Sequence, residues 1–237
     1  MSAPFANLIF VALDTPDISR ALAVAQAVKP HVGGLKIGLE FLTALGPEGV
    51  RRVVEIGLPV FADTKFHDIP NTVAGAAREL ARLGVAIFNV HASGGEAMMR
   101  AAAGAIADIY PRPLLVAVTV LTSLDDAALE SVGQRGPSVA QVARLASLTK
   151  ASGLDGVVCS AHELAAVRQT AGPDFLTVVP GIRPAGGDLA DQRRVMTPKE
   201  ARAAGADILV IGRPITGAPD PAEAARAIAD ELSETRV

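Results

Sequence analysis

Tryptophan is absent from this chain of 237 residues, and tyrosine and cysteine occur once each. A lone cysteine excludes an internal disulfide and fits a reducing compartment. Cys159 lies in the apolar run Gly156-Val-Val-Cys-Ser160 and reads as a core residue rather than a reactive thiol. One tyrosine, seven phenylalanines and a net charge of -3 leave neither the stacking platforms nor the positive field that nucleic acid requires. No stretch approaches the ~20 apolar residues of a membrane-spanning helix. Met1–Asn7 lacks the basic region of a signal peptide, and the apolar run Leu8–Leu13 is too short to span or to export. The expectation is therefore a cytoplasmic protein without membrane or nucleic-acid partners. Linkers, blocks of like charge and low-complexity segments are also lacking, so one domain over residues 1–237 is expected.

What is present is an ordinary globular composition, 50% hydrophobic and 20% charged. Short apolar runs recur along the chain: Leu8–Asp14, Gly34–Leu39, Val60–Lys65, Ala86–His91, Leu114–Leu121, Gly156–Ser160, Leu176–Pro180 and Ile208–Gly212. Most are continuous and rich in Val, Ile and Leu, the signature of parallel strands buried on both faces. Alanine-rich amphipathic stretches separate them. Thr197-Pro-Lys-Glu200 reads as a capping box with proline at the first helical position, and Asp220-Pro-Ala-Glu223 repeats the device. Asn71 is expected to cap a helix over Thr72–Leu83 that Gly84 closes, and Gly57 and Gly153 to end two others. Eight such β/α units predict a (β/α)8 barrel, a TIM barrel of eight parallel strands. The rival, a doubly wound open sheet, lacks the Gly-x-Gly-x-x-Gly that its dinucleotide-binding form would carry after the first strand.

Barrels of this kind gather their chemistry at the C-terminal ends of the strands. The polar residues ending apolar runs are Asp14, Lys36, Asp63, Lys65, Asp68, His91, Thr122, Arg183 and Arg213. Side chains alternate along a strand, so Asp63 and Lys65 share one face. Lys36 ends the preceding strand between Gly34 and Gly38, which leave room beside it, and adjacent strands ~4.8 Å apart bring it within reach of Asp63. An alternating row of lysines and aspartates follows, with Lys65 an ammonium placed to donate a proton. The competing reading is a buried ion-pair network that only holds the barrel together, a costly way to do so. Pro180-Gly-Ile-Arg183 and Gly212-Arg213 end the last two strands, where barrels often bind phosphate. Glycine admits the anion to backbone N–H groups, and arginine supplies a two-pronged donor. The polar segment Arg183–Arg193, with Gln192, reads as a lid near that site. His31, His67, His91 and His162 show no zinc spacing. Lysines beside the acids argue against magnesium, so no metal is predicted.

Asp63-x-Lys65-x-x-Asp68-Ile-Pro-Asn-Thr72 closely resembles the signature of the orotidine 5′-phosphate decarboxylase family. Asp14, Lys36, Leu121-Thr122-Ser123, Pro180-Gly-Ile-Arg183, Gln192 and Gly212-Arg213 fall in order at the family's other site positions. The resemblance implies a cofactor-free homodimeric barrel that converts orotidine 5′-phosphate to UMP and CO2 in de novo pyrimidine synthesis. It implies that Lys36, Asp63, Lys65 and Asp68 form the catalytic network, with Lys65 the proton donor to C6 and Asp68 contributed across the dimer interface. Asp14, Lys36 and Thr72 would contact the ribose, Thr72 from the partner, and Thr122 would lie near the pyrimidine. Asp63 would sit near the departing carboxylate, and Arg183, Gln192, Gly212 and Arg213 would serve the phosphate. Thr64 stands where a larger aliphatic residue is usual and is expected to affect packing rather than chemistry. Two alternatives are a magnesium-dependent sugar-phosphate decarboxylase or aldolase of the same barrel group, which carries an acid where this chain has Lys36, and a catalytically silent binder of phosphorylated metabolites.

Overall fold

The structure is a computed structural model that describes residues 5, 7–184 and 196–233. Its strands are β1 (Ile9–Ala12), β2 (Gly34–Ile37), β3 (Val60–Phe66), β4 (Ile87–His91), β5 (Leu114–Val118), β6 (Gly156–Val158), β7 (Leu176–Val179) and β8 (Ile208–Ile211). Each pairs in parallel with its sequence neighbours, and β1 pairs with β8 to close the barrel. Every expected apolar run contributes one strand. The helices are α1 (Ile18–Val28), α2 (Leu39–Val54), α3 (Pro70–Ala81), α4 (Glu96–Ala105), α5 (Asp126–Ser131), α6 (Ser138–Ala151), α7 (Leu164–Ala171), α8 (Pro198–Ala203), α9 (Arg213–Thr216) and α10 (Pro221–Ser233).

Alternation along the strands divides the core in two. Ile9 and Val11 of β1 point outward into the layer between strands and helices, with Ala21 and Ala25 of α1 and Phe41 of α2. Phe10 and Ala12 point inward and join Phe61, Ile87, Val116, Val178 and Val210. Phe5 packs edge-on against Phe10, ring centroids 5.1 Å apart, at the N-terminal end of the barrel. Barrel strands buried on both sides carry apolar residues in succession, which is why the runs lack a polar alternation.

The capping box at α8 is formed: the Thr197 hydroxyl accepts from the Glu200 N–H, and the Glu200 carboxylate accepts from the Thr197 N–H. Asp220 caps α10 through the N–H groups of Ala222 and Glu223. The expected cap at Asn71 is not used. Helix α3 begins two residues earlier than expected, at Pro70, with Ile69 as its cap and no side-chain cap bond. Proline at the first helical position has no N–H to satisfy and its φ is already helical, so it sets the start. Gly84, at φ 83°, takes the left-handed turn after α3. At the N-terminal end of β7 and β8, Arg168 donates to the Thr177 hydroxyl of β7 and, just before β8, to the Gly205 carbonyl and Asp207, tying together the two strands that carry the arginine-bearing loops.

Candidate active site

A cavity of about 520 Å³ opens at the C-terminal ends of the strands. Its floor is apolar, built by Ala12, Phe61, Val118, Val158, Val178 and Val210, each from a different strand. Its wall carries Asp14, Lys36, Asp63 and Lys65 on one side and Thr122, Arg183, Gly212 and Arg213 around the rest. Sequence reasoning placed all of these at the site, and the fold brings them together.

The charges form a row across β1, β2 and β3. Lys36 is 6% exposed, and its Nζ donates to both oxygens of Asp14 at 2.7 and 2.8 Å. It stands 4.0 Å from Asp63 Oδ2. Lys65 Nζ donates to Asp63 Oδ1 at 2.6 Å. The row therefore runs Asp14–Lys36–Asp63–Lys65, and every ammonium in it faces a carboxylate. A buried ammonium needs such a partner, because transfer from water into low dielectric is otherwise prohibitive. Gly38 makes the first pair possible: a Cβ there would lie 2.7 Å from Asp14 Oδ1 and 3.1 Å from Lys36 Nζ. Gly34, expected to leave space for the same lysine, instead leaves it for Phe10, whose ring would lie 2.4 Å from a Cβ.

Asp68 and Thr72 do not line this cavity. Both are exposed, and the Asp68 carboxylate accepts the N–H of Ile69 at 2.6 Å. Ile69 between them is 68% exposed, unusual for a large aliphatic side chain. Arg183 is 8% exposed rather than solvated, and its Nη1 donates to the Ile182 carbonyl at 2.9 Å. The short helix α9 starts at Arg213, directly after Gly212. Gln192 and most of the expected lid lie outside the described residues.

The chain matches the model of the "Orotidine 5'-phosphate decarboxylase / HUMPS family" over residues 7–228. The chain belongs to this family. It is 57% identical over 230 residues to an orotidine 5′-phosphate decarboxylase of Moorella thermoacetica, covering 94% of this chain and 91% of the relative. It is 56% identical over 232 residues to one of Paramagnetospirillum magneticum, covering 95% and 98% of the two chains. A crystal structure of an orotidine 5′-phosphate decarboxylase from Lactobacillus acidophilus superposes with a TM-score of 0.83 at 38% identity, covering 95% of this chain and 99% of that one.

Two features of this family member were not found in the sequence. The first is Asn89 of β4, fully buried, whose Nδ2 donates to Asp63 Oδ1 at 2.7 Å. A neutral amide in the middle of Ile87-Phe-Asn-Val-His91 was the available signal. The second is a pair of stacked imidazoles, His67 and His91, with centroids 5.5 Å apart. Burial, then the neighbouring His67 and Lys65, hold the His91 pKa below its ordinary value against the opposing pull of Asp63. Thr64, expected to serve packing, is buried and donates its hydroxyl to the Asn89 carbonyl at 2.7 Å.

Proposed function

We propose that this chain decarboxylates orotidine 5′-phosphate to UMP and CO2, with Lys65 as the proton donor. Breaking the bond from C6 to the carboxylate leaves an electron pair on C6 with no conjugated sink. A fixed ammonium beside C6 stabilises that pair electrostatically and then delivers its proton there, and solvent restores the ammonium. The observation that carries the reading is the Lys65 ammonium held 2.6 Å from Asp63 at the edge of an apolar floor, with Lys36 behind it. The name and high identity of the relatives support the same substrate.

In this reading Asp63 faces the departing carboxylate and Thr122 lies near the pyrimidine. Asp14 and Lys36 contact the ribose. Arg183, Gly212, Arg213 and Gln192 take the phosphate, whose remote binding energy orients the ring. The cavity is of the usual size for a small-molecule site. Asp68 and Thr72 act in the site of a second copy, which gives a cytoplasmic homodimer with shared active sites. Their position outside their own cavity, beside an exposed isoleucine, supports that assignment.

The magnesium-dependent relatives need carboxylates free to hold the ion. Here the carboxylates are already matched by ammoniums: Lys36 pairs with Asp14, and Lys65 pairs with Asp63, which Lys36 also approaches. Loss of orotidine absorbance on adding the protein, undiminished by excess chelator, tests the reaction against that alternative. Lys65→Ala should then lower kcat by at least about a thousandfold while UMP still binds. Residual turnover near wild type would remove Lys65 as the donor.

A further inference from the structure

Strands β3 and β4 do not pair evenly. Ala62 stands opposite Phe88 and Phe66 opposite Val90, so Asp63, Thr64 and Lys65 together face the single residue Asn89. A bulge of this kind interrupts the ladder and leaves its backbone groups in need of other partners. Lys65 has a φ of 51°, the single non-glycine residue in the left-handed region among those described. A lysine is strained there and stays only where its surroundings hold it.

Asn89 meets all three bulge residues. Its Oδ1 accepts the Lys65 backbone N–H at 2.7 Å. Its Nδ2 donates to Asp63 Oδ1 at 2.7 Å, and its main-chain carbonyl accepts the Thr64 hydroxyl at 2.7 Å. The partners fix the orientation of the amide, since reversal would set NH2 against N–H and carbonyl against carboxylate. Asp63 Oδ1 also receives the Lys65 ammonium. The bonds close a ring that runs from the Lys65 backbone through the Asn89 amide and the Asp63 carboxylate back to the Lys65 side chain.

We propose that Asn89 is a positioning residue for the decarboxylation: it holds the bulge of β3 so that Asp63 and Lys65 point into the cavity together. The inference rests on the reading of Lys65 as the proton donor. Asn89 itself does not line the cavity, so it acts through these two residues. The task needs one donor and one acceptor on a short, rigid side chain. Alanine or leucine supplies neither, and aspartate supplies two acceptors and sets a second carboxylate against Asp63. Small displacements of a reacting group cost rate far more than binding.

The test is steady-state kinetics with orotidine 5′-phosphate, with UMP binding measured alongside. Asn89→Ala should lower kcat by about 100-fold or more while the dissociation constant of UMP changes less than about threefold. Asn89→Asp keeps the size and should regain activity on acidification. Once protonated, the introduced carboxyl donates to Asp63 as the amide did, so the ratio of its kcat to wild type should rise as pH falls from about 8 to about 6. That ratio carries the test alone if Asn89→Ala does not fold. A kcat within threefold of wild type in Asn89→Ala, or a ratio for Asn89→Asp that is flat with pH, would overturn the inference while leaving the function intact. A wild type that does not turn over the substrate removes the function reading, and the inference with it.

Discussion

Lys36 and Lys65 bring like charges to one cavity, and the carboxylates on either side decide where each points. Lys36 is committed to Asp14, with Asp63 at the limit of contact, while Lys65 holds Asp63 at close range and is the more exposed of the two lysines. The arginines divide differently. Arg183 is buried and spends one donor on a neighbouring carbonyl, whereas Arg213 is exposed at the cavity edge. Arg213→Ala should therefore raise the KM for orotidine 5′-phosphate by about 10- to 100-fold, the worth of a charge-assisted hydrogen bond, yet leave binding of the unphosphorylated nucleoside unchanged. Equal losses for both would take Arg213 out of the phosphate site. His91 gives a pH signature. Its imidazolium is disfavoured in the folded protein by burial and by His67 and Lys65, so the unfolded chain binds that proton more readily. Stability is then lost as pH falls below the ordinary histidine value near 6.5, until the lowered folded-state value is also passed. Wild type should lose more Tm between about pH 7 and about pH 5 than His91→Asn does, and parallel losses would contradict the assignment. The charged residues of the site were legible because each ends an apolar run. Asn89 was not, because a neutral side chain inside a strand carries no sign of what it faces.

At the scale of elements, the strands were legible and their irregularities were not. Runs such as Ile208–Ile211 are apolar throughout because both faces are covered, which the sequence states directly. The bulge in β3 cannot be read from a period of two: alternation alone places Asp63 and Lys65 on one face, and the chain reaches a shared cavity with Lys65 in a left-handed conformation and three residues opposite one. The start of α3 was misplaced because two signals competed, asparagine as a cap and proline at the first turn, and proline prevailed. Strand spacing gives a prediction at this scale. A Cβ at Gly156 of β6 would lie 2.2 Å from the Leu176 carbonyl oxygen of β7. Backbone cannot yield as a flexible side-chain tip does, so Gly156→Ala must push the two strands apart. Denaturant unfolding should show a loss of about 1–3 kcal/mol. A loss under about 0.5 kcal/mol would mean that the β6–β7 pairing tolerates what the geometry forbids.

The whole molecule sets one further constraint, because its barrel gathers most of the proposed site and leaves part of it outside. Asp68 and Thr72 follow β3 on the exposed surface, with Ile69 between them, while Lys65 a few residues earlier lines the cavity. If Asp68 completes a partner's site, a single stretch of chain serves two sites. The consequence is complementation between dead variants. Lys65→Ala and Asp68→Ala homodimers each lack one essential group in both sites. In a mixed dimer one site lacks both groups, and the other has Lys65 from one subunit and Asp68 from its partner. Random exchange makes half of the dimers mixed, so about a quarter of all sites should be intact. Mixing the two inactive proteins should restore about a quarter of wild-type kcat per site, with exchange followed by native mass spectrometry. Activity that stays at the level of the separate variants while mixed dimers are seen would mean that Asp68 does not act across an interface. The exposed Ile69 would then need another explanation.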